Sequence, residues 1–222
     1  MTDTSPDATR ARNLKAFDGA FGRAYSFEMD RPLLARVVGR ILWGGDVRPF
    51  YEGVEEVSRL PDGVVVVDAP CGSGIAFSQL SPERRLRYIA LDLSPVMLGR
   101  AKERAKKLEL GQVEFIEGDA EQIPLEDNSV DLFMSWWGLH CLPDPERGVR
   151  EIARCLKPGG RAVGAMICSG RSLRQRALVK PGRGAFGPTG TSHDLASWFD
   201  RAGLPNPRID LSGTFAFFEA TA

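Results

Sequence analysis

Histidine is scarce in this chain, with two in 222 residues, and the four cysteines (Cys71, Cys141, Cys155 and Cys168) show no CxxC spacing. No structural zinc or other metal site is therefore predicted, and the pattern suits a reduced, cytoplasmic protein. Net charge is missing as well. Twenty-nine basic residues balance twenty-nine acidic ones, which removes any global electrostatic footprint for nucleic acid. No apolar run is long enough to span a bilayer: the longest helical one, Leu33 to Trp43, is interrupted by Arg36 and Arg40. The polar start, Met1 to Asp7, lacks the apolar centre of a secretory signal. Internal repeats and low-complexity segments are also absent.

What remains is an ordinary globular composition with a strongly patterned middle. Residues 1–10 are polar and read as a frayed tail, and residues 11–60 read as a helical N-terminal cap. From residue 61 to 222 the pattern is that of an α/β core. Val64-Val65-Val66-Val67 is the β-branched run that a strand buried on both faces requires. Further strands are predicted at Tyr88–Leu91, Val113–Ile116, Val130–Met134, Arg161–Ile167, Arg208–Leu211 and Thr214–Ala220. Helices are predicted at Ser94–Leu108, about Pro145–Leu156 and Thr191–Ala202. Ser94 caps the first of these, with Pro95 at its first position. Alternating strands and helices predict a Rossmann-like, seven-stranded, mostly parallel sheet with helices on both faces. Residues 170–190 form a basic lid segment with Arg171, Arg174, Arg176, Lys180 and Arg183. It is read either as a solvated loop or as a clamp for an acidic substrate.

The first strand runs into Asp68-Ala69-Pro70-Cys71-Gly72-Ser73-Gly74, a glycine-rich turn of the kind that brings backbone N–H groups close to a ligand. Asp92, twenty residues after Gly72, stands where a nucleoside cofactor needs an acid for its ribose. A dinucleotide loop wants Gly or Ala at the position occupied by Phe77, whose ring disfavours that cofactor.

These residues resemble the class I S-adenosylmethionine-dependent methyltransferases, especially the small-molecule, methyltransferase-11-like branch that includes quinone and sterol methyltransferases. The resemblance rests on five ordered motifs between Val64 and Ile167. They are the Asp68–Gly74 loop, Leu91-Asp92-Leu93-Ser94-Pro95, Glu117-Gly118-Asp119-Ala120, Asn128-Ser129-Val130-Asp131-Leu132 and Leu156-Lys157-Pro158-Gly159-Gly160. One departure is Pro70, in place of the first loop glycine, which fixes φ and removes a donor. The resemblance implies S-adenosylmethionine as cofactor and methyl transfer to a small-molecule acceptor by in-line displacement. A non-catalytic cofactor-binding protein and a nicotinamide-dependent oxidoreductase are the rival readings.

The resemblance also implies roles for single residues. Asp92 bonds the ribose hydroxyls, with helix capping as its alternative. Asp119 and Ala120 lie beside the adenine, and Leu93 and Met97 pack on the adenine and ribose side, although Met97 equally suits helix core. Asp68, Ala69, Pro70, Cys71, Gly72 and Gly74 line the methionine end, where Asp68 either anchors the cofactor or stabilises the loop. Ser135 and Trp136 approach from the fourth strand. His140 is the candidate general base, or else orients its loop by a hydrogen bond. Tyr25 is a candidate lid aromatic near the methyl group, or packs in the core. The absence of an Asn/Asp-Pro-Pro-aromatic signature argues against a nucleic-acid acceptor. Leu33–Trp43 packs as part of the cap or rests peripherally on a membrane. A monomer or a homodimer is expected.

Overall fold

The computed structural model describes residues 5–169 and 186–222. Most of the basic lid segment, including its five cationic residues, lies outside the described residues.

Seven strands form one sheet in the order β3-β2-β1-β4-β5-β7-β6. They are β1 (Val65–Asp68), β2 (Arg87–Asp92), β3 (Val113–Glu117), β4 (Val130–Trp136), β5 (Leu156–Ile167), β6 (Arg208–Ser212) and β7 (Phe215–Thr221). The first five are mutually parallel, and β7 runs antiparallel to both β5 and β6. Pairing of β4 with β5 starts at Val130–Leu156 and resumes at Leu132–Arg161, so Pro158-Gly159-Gly160 falls in a register shift. Chain order moves outward from β1 through β2 to β3 and then returns to the other side of β1 with β4. That reversal opens a crevice beyond the carboxyl ends of β1 and β4, where open α/β sheets bind ligands.

The β-branched run of β1 serves both faces of the sheet, as a period of two demands. Val66 joins the core under the N-terminal helices and α5 (Pro95–Lys107), while Val67 joins the core under α6 (Pro145–Cys155) and α7 (Ser192–Arg201). Ser94 caps α5 by accepting from the Met97 amide at 3.0 Å, and Thr191 forms a capping box with Asp194 on α7.

The N-terminal cap comprises α1 (Pro6–Asp18), α2 (Ala20–Met29), α3 (Pro32–Val38), a π-helical turn (Gly39–Trp43) and α4 (Arg48–Glu55). Here the structure corrects the expectation of a frayed tail at residues 6–10, because α1 begins at Pro6, while residues 1–4 lie outside the described residues. The helix is polar and buries little beyond Thr9. Polar bonds to the core, which leave no apolar periodicity in the sequence, hold it instead.

Candidate functional site

The crevice at the β1/β4 reversal encloses about 1040 Å³ of empty space, part of it open to solvent. Its floor is the turn after β1. Gly72 and Gly74 adopt φ of +55° and +70°, conformations that strain any residue with a Cβ. Pro70 is accommodated by the loop after β4, since a Cβ on Gly138 would lie 2.1 Å from the proline Cδ. Gly74 is covered by the ring of Phe77, which is fully buried and packs edge-on against Tyr88 and Phe115. The chain then continues as a short 3-10 turn (Ile75–Gln79) rather than a long helix.

Asp92, at the end of β2, ties this floor to its neighbour. Its Oδ2 accepts from the Gly72 amide and its Oδ1 from the Ser94 amide, both at 2.8 Å. The α5 capping role belongs to Ser94, so the buried Asp92 carboxylate fixes the loop and faces the crevice. Asp68, at the end of β1, is 3% exposed and accepts from the Tyr88 hydroxyl at 3.0 Å. Burial pushes the Asp68 carboxyl up to about 7, with the nearby Asp92 adding to the shift and the Tyr88 bond opposing it. Burial likewise pushes Asp92 up to about 6, with Asp18 adding to the rise and the amides of Ser94, Gly72 and Leu93 opposing it. Two acids thus share one desolvated wall of the crevice.

A third acid, Asp119, follows β3. Arg10 of α1 donates to it through Nε at 2.9 Å and also pairs with Glu121, which is 2% exposed. Asn13 bonds the Cys141 carbonyl, the Ser94 hydroxyl meets Asp18, and Arg100 reaches the carbonyls of Phe17 and Asp18. Helix α1 therefore straps across the crevice from the end of β3 to the start of α5, with Arg10, Asn13, Leu14 and Phe17 lining it.

The remaining wall is aromatic. Tyr25, Phe50, Trp136 and Trp137 line it together with Cys141. Phe50 stands edge-on to Trp136 at 5.3 Å, and α4 comes this close because Gly53 has no side chain, a Cβ there lying 2.5 Å from the indole. Trp137 has φ of +60°, an uncommon state for a bulky residue, and is held by its amide bond to the Ala165 carbonyl at 2.8 Å. Burial raises the Tyr25 phenol far above its ordinary value and the Cys141 thiol to about 12, so both are neutral near pH 7.

Of the residues singled out in the sequence, Tyr25, Asp68, Pro70, Cys71, Gly72, Asp92, Leu93, Met97, Asp119, Ala120 and Trp136 line this crevice. Four do not. Ser135 sits one residue out of phase with Trp136, so strand alternation keeps it from the crevice, and Ala69, in the turn after β1, is buried in the core under α6 and α7. Gly74 lies beneath Phe77. His140 is buried outside the lining, where its Nδ1 accepts from the Ile167 amide at 3.2 Å and burial lowers its imidazole to about 3. It orients its loop, and the general-base expectation is corrected. Sequence reading placed residues 11–18 of α1 in the helical cap but missed its first turn and its place across the crevice, and it missed Phe50 and Trp137. The double tryptophan was the available signal for Trp137.

A family model described as a methyltransferase domain (Methyltransf_11) matches residues 67–164. The chain is 33% identical over 115 residues to the demethylmenaquinone methyltransferase of Bacillus cereus, a match covering 49% of this chain and 48% of that protein. It is 38% identical over 102 residues to the ubiquinone/menaquinone biosynthesis C-methyltransferase UbiE of Brucella abortus, covering 45% and 38% respectively. The matches thus span less than half the length of these relatives. Among solved structures, a SAM-dependent methyltransferase from Aquifex aeolicus shares the fold with a TM-score of 0.62 at 22% identity, covering 89% of this chain and 96% of that one.

Two outcomes follow from the geometry. A carboxyl raised in the folded state stabilises the fold while protonated, and its contribution is lost as pH rises through the folded value, here about 7. Urea unfolding should therefore show Asp68 removing about 3 kcal/mol of stability between roughly pH 5 and pH 8. Asp68→Asn, which still accepts from Tyr88, should reduce that dependence to the smaller part that Asp92 contributes below about pH 6, and an unchanged slope contradicts the assignment. Second, Arg10→Gln should speed amide hydrogen exchange across residues 6–18 by roughly 10-fold or more, with α5 unaffected. Unaltered α1 protection refutes the strap.

Proposed function

We propose that the protein, whose domain at residues 67–164 belongs to the class I S-adenosylmethionine-dependent methyltransferase family, transfers a methyl group from S-adenosylmethionine to a small-molecule acceptor. The observation that carries this reading is the convergence of Asp68, Gly72, Asp92 and Asp119 on one crevice at the reversal of strand order.

The residues suit the parts of that molecule. A Cβ on Gly72 would meet only the Met97 Cε, at 3.7 Å, so the bare backbone leaves its place open to a ligand. Asp92 has acceptor capacity beyond its two amides for a pair of ribose hydroxyls, each charged bond contributing about 1.5–3 kcal/mol. Asp119 and the backbone beside Ala120 suit an adenine amine, and Leu93 and Met97 offer apolar surface to the base. Asp68, with the backbone of Pro70, Cys71 and Gly72, suits the amino-acid end. An ammonium there favours the ionised carboxylate, so binding should release a proton and tighten as pH rises through about 7.

When bound, S-adenosylmethionine supplies a methyl group already activated by its sulfonium, so no protein nucleophile is needed. The chain's contribution is placement and shelter. Tyr25, Phe50, Trp136 and Trp137 exclude water, offer flat surface to an acceptor ring and present π-faces that favour a cation. Alignment of two bound reactants can account for roughly 7–11 kcal/mol of barrier reduction. No histidine or lysine lines the crevice among the described residues, and the Tyr25 and Cys141 groups stay protonated. An acceptor with a reactive nucleophile of its own, such as an electron-rich ring carbon or an acidic hydroxyl, suits such a lining. A flat aromatic acceptor accords with relatives named as quinone-biosynthesis methyltransferases. A cytoplasmic site of action accords with four buried cysteines, none of them disulfide-bonded.

Calorimetry with S-adenosylhomocysteine, alongside NAD as the rival ligand, tests the binding half. The homocysteine compound should bind and NAD should not. Asp92→Ala should weaken binding roughly 10-fold or more, and unchanged affinity overturns the Asp92 assignment. A coupled homocysteine assay across hydroxyarenes and quinols tests transfer, and binding without turnover on any acceptor favours the non-catalytic reading.

A further inference from the structure

The helices that roof the crevice leave an apolar face exposed on their other side. Helix α3 and the π-helical turn after it bury Ala35 and Gly39 against the body of the protein. Outward, Leu33, Val37 and Ile41 recur every fourth residue as one stripe, exposed by 76%, 54% and 63%, with Leu34 and Leu42 alongside. Phe27 of α2, 55% exposed, extends it, for the Arg31 guanidinium at the head of α3 lies 3.5 Å from the centre of its ring. Scattered exposed leucines are ordinary, but a contiguous stripe of this kind marks an interaction surface.

The rim of the stripe is cationic. Arg36, Arg40 and Arg48 share a single carboxylate, Asp46, leaving positive charge in excess, and Arg40 and Arg48 are more than half exposed. Asp30, at the α2–α3 junction, is paired with Arg104 of α5. An apolar stripe bordered by arginines is the pattern that settles at a lipid interface, apolar side chains entering the headgroup boundary while guanidiniums meet phosphates. A second copy of the chain is the weaker fit, because its matching face carries the same cationic rim.

We infer that the α3 face docks on an anionic lipid surface through Leu33, Val37 and Ile41, with Arg31, Arg40 and Arg48 toward the lipid phosphates. Helices α2 and α4, which flank α3 in sequence, supply Tyr25 and Phe50 to the crevice, so the docked face belongs to the same cap that roofs the aromatic wall. The inference does not rest on methyl transfer, and its test needs no turnover.

Co-sedimentation of the full chain with vesicles provides that test. The protein should pellet with phosphatidylcholine–phosphatidylserine vesicles, release as salt is raised, and stay in solution with phosphatidylcholine alone. The double variant Leu33→Glu with Val37→Glu, at exposed positions, should lose at least about 10-fold in vesicle affinity while keeping its melting temperature and its S-adenosylhomocysteine affinity. Arg40→Gln with Arg48→Gln should weaken binding several-fold. Failure of the wild-type chain to bind anionic vesicles, or equal binding by the Leu33→Glu, Val37→Glu variant, overturns the inference. So does sedimentation equilibrium showing a dimer that this variant dissociates, in the absence of vesicle binding, which assigns the face to a second copy.

Discussion

One buried carboxylate holds the ligand crevice in shape. Asp92 accepts from Gly72 on the first loop and from Ser94 at the head of α5, and these two bonds set the loop, the second strand and the helix at fixed distances from one another. Because the parallel sheet buries the ends of its strands, this carboxylate and its neighbour Asp68 are stripped of water, and both are raised well above the ordinary carboxylate range. The site is thus an electrostatically unfavourable pair until a positive ligand group arrives. Perturbed acids set in a crevice mark a candidate functional site.

The other half of the site is contributed by the cap rather than the sheet. Arg10 and Asn13 bind α1 to the far side of the crevice, while α2 and α4 present Tyr25 and Phe50 to Trp136. The sheet's loops line one side of the crevice, and the cap bounds the other. The family match covers residues 67–164 and leaves the cap out.

The sheet and the cofactor-side residues were legible because their signals are local. A β-branched run, a glycine turn and an acid at the end of the next strand each follow from a few neighbouring residues, and every predicted strand is present to within a few residues. The docking of α1 across the crevice was not legible, since the helix is polar and held by ion pairs to residues more than a hundred positions away. His140 misled for a similar reason. Its residue type suggested a base, but only the fold shows that it is buried away from the crevice and occupied with the Ile167 amide. Ser135 shows how the alternation of a strand separates a motif position from a contact with the crevice.

The central claim is that the raised carboxyls of Asp68 and Asp92 await a positively charged nucleoside ligand. Calorimetric titration of S-adenosylhomocysteine at about pH 6.5, in buffers of differing ionisation enthalpy, counts the protons exchanged on binding. Net release approaching one proton is expected, most of it lost in Asp68→Asn. Binding with no proton release, or with uptake, would contradict it.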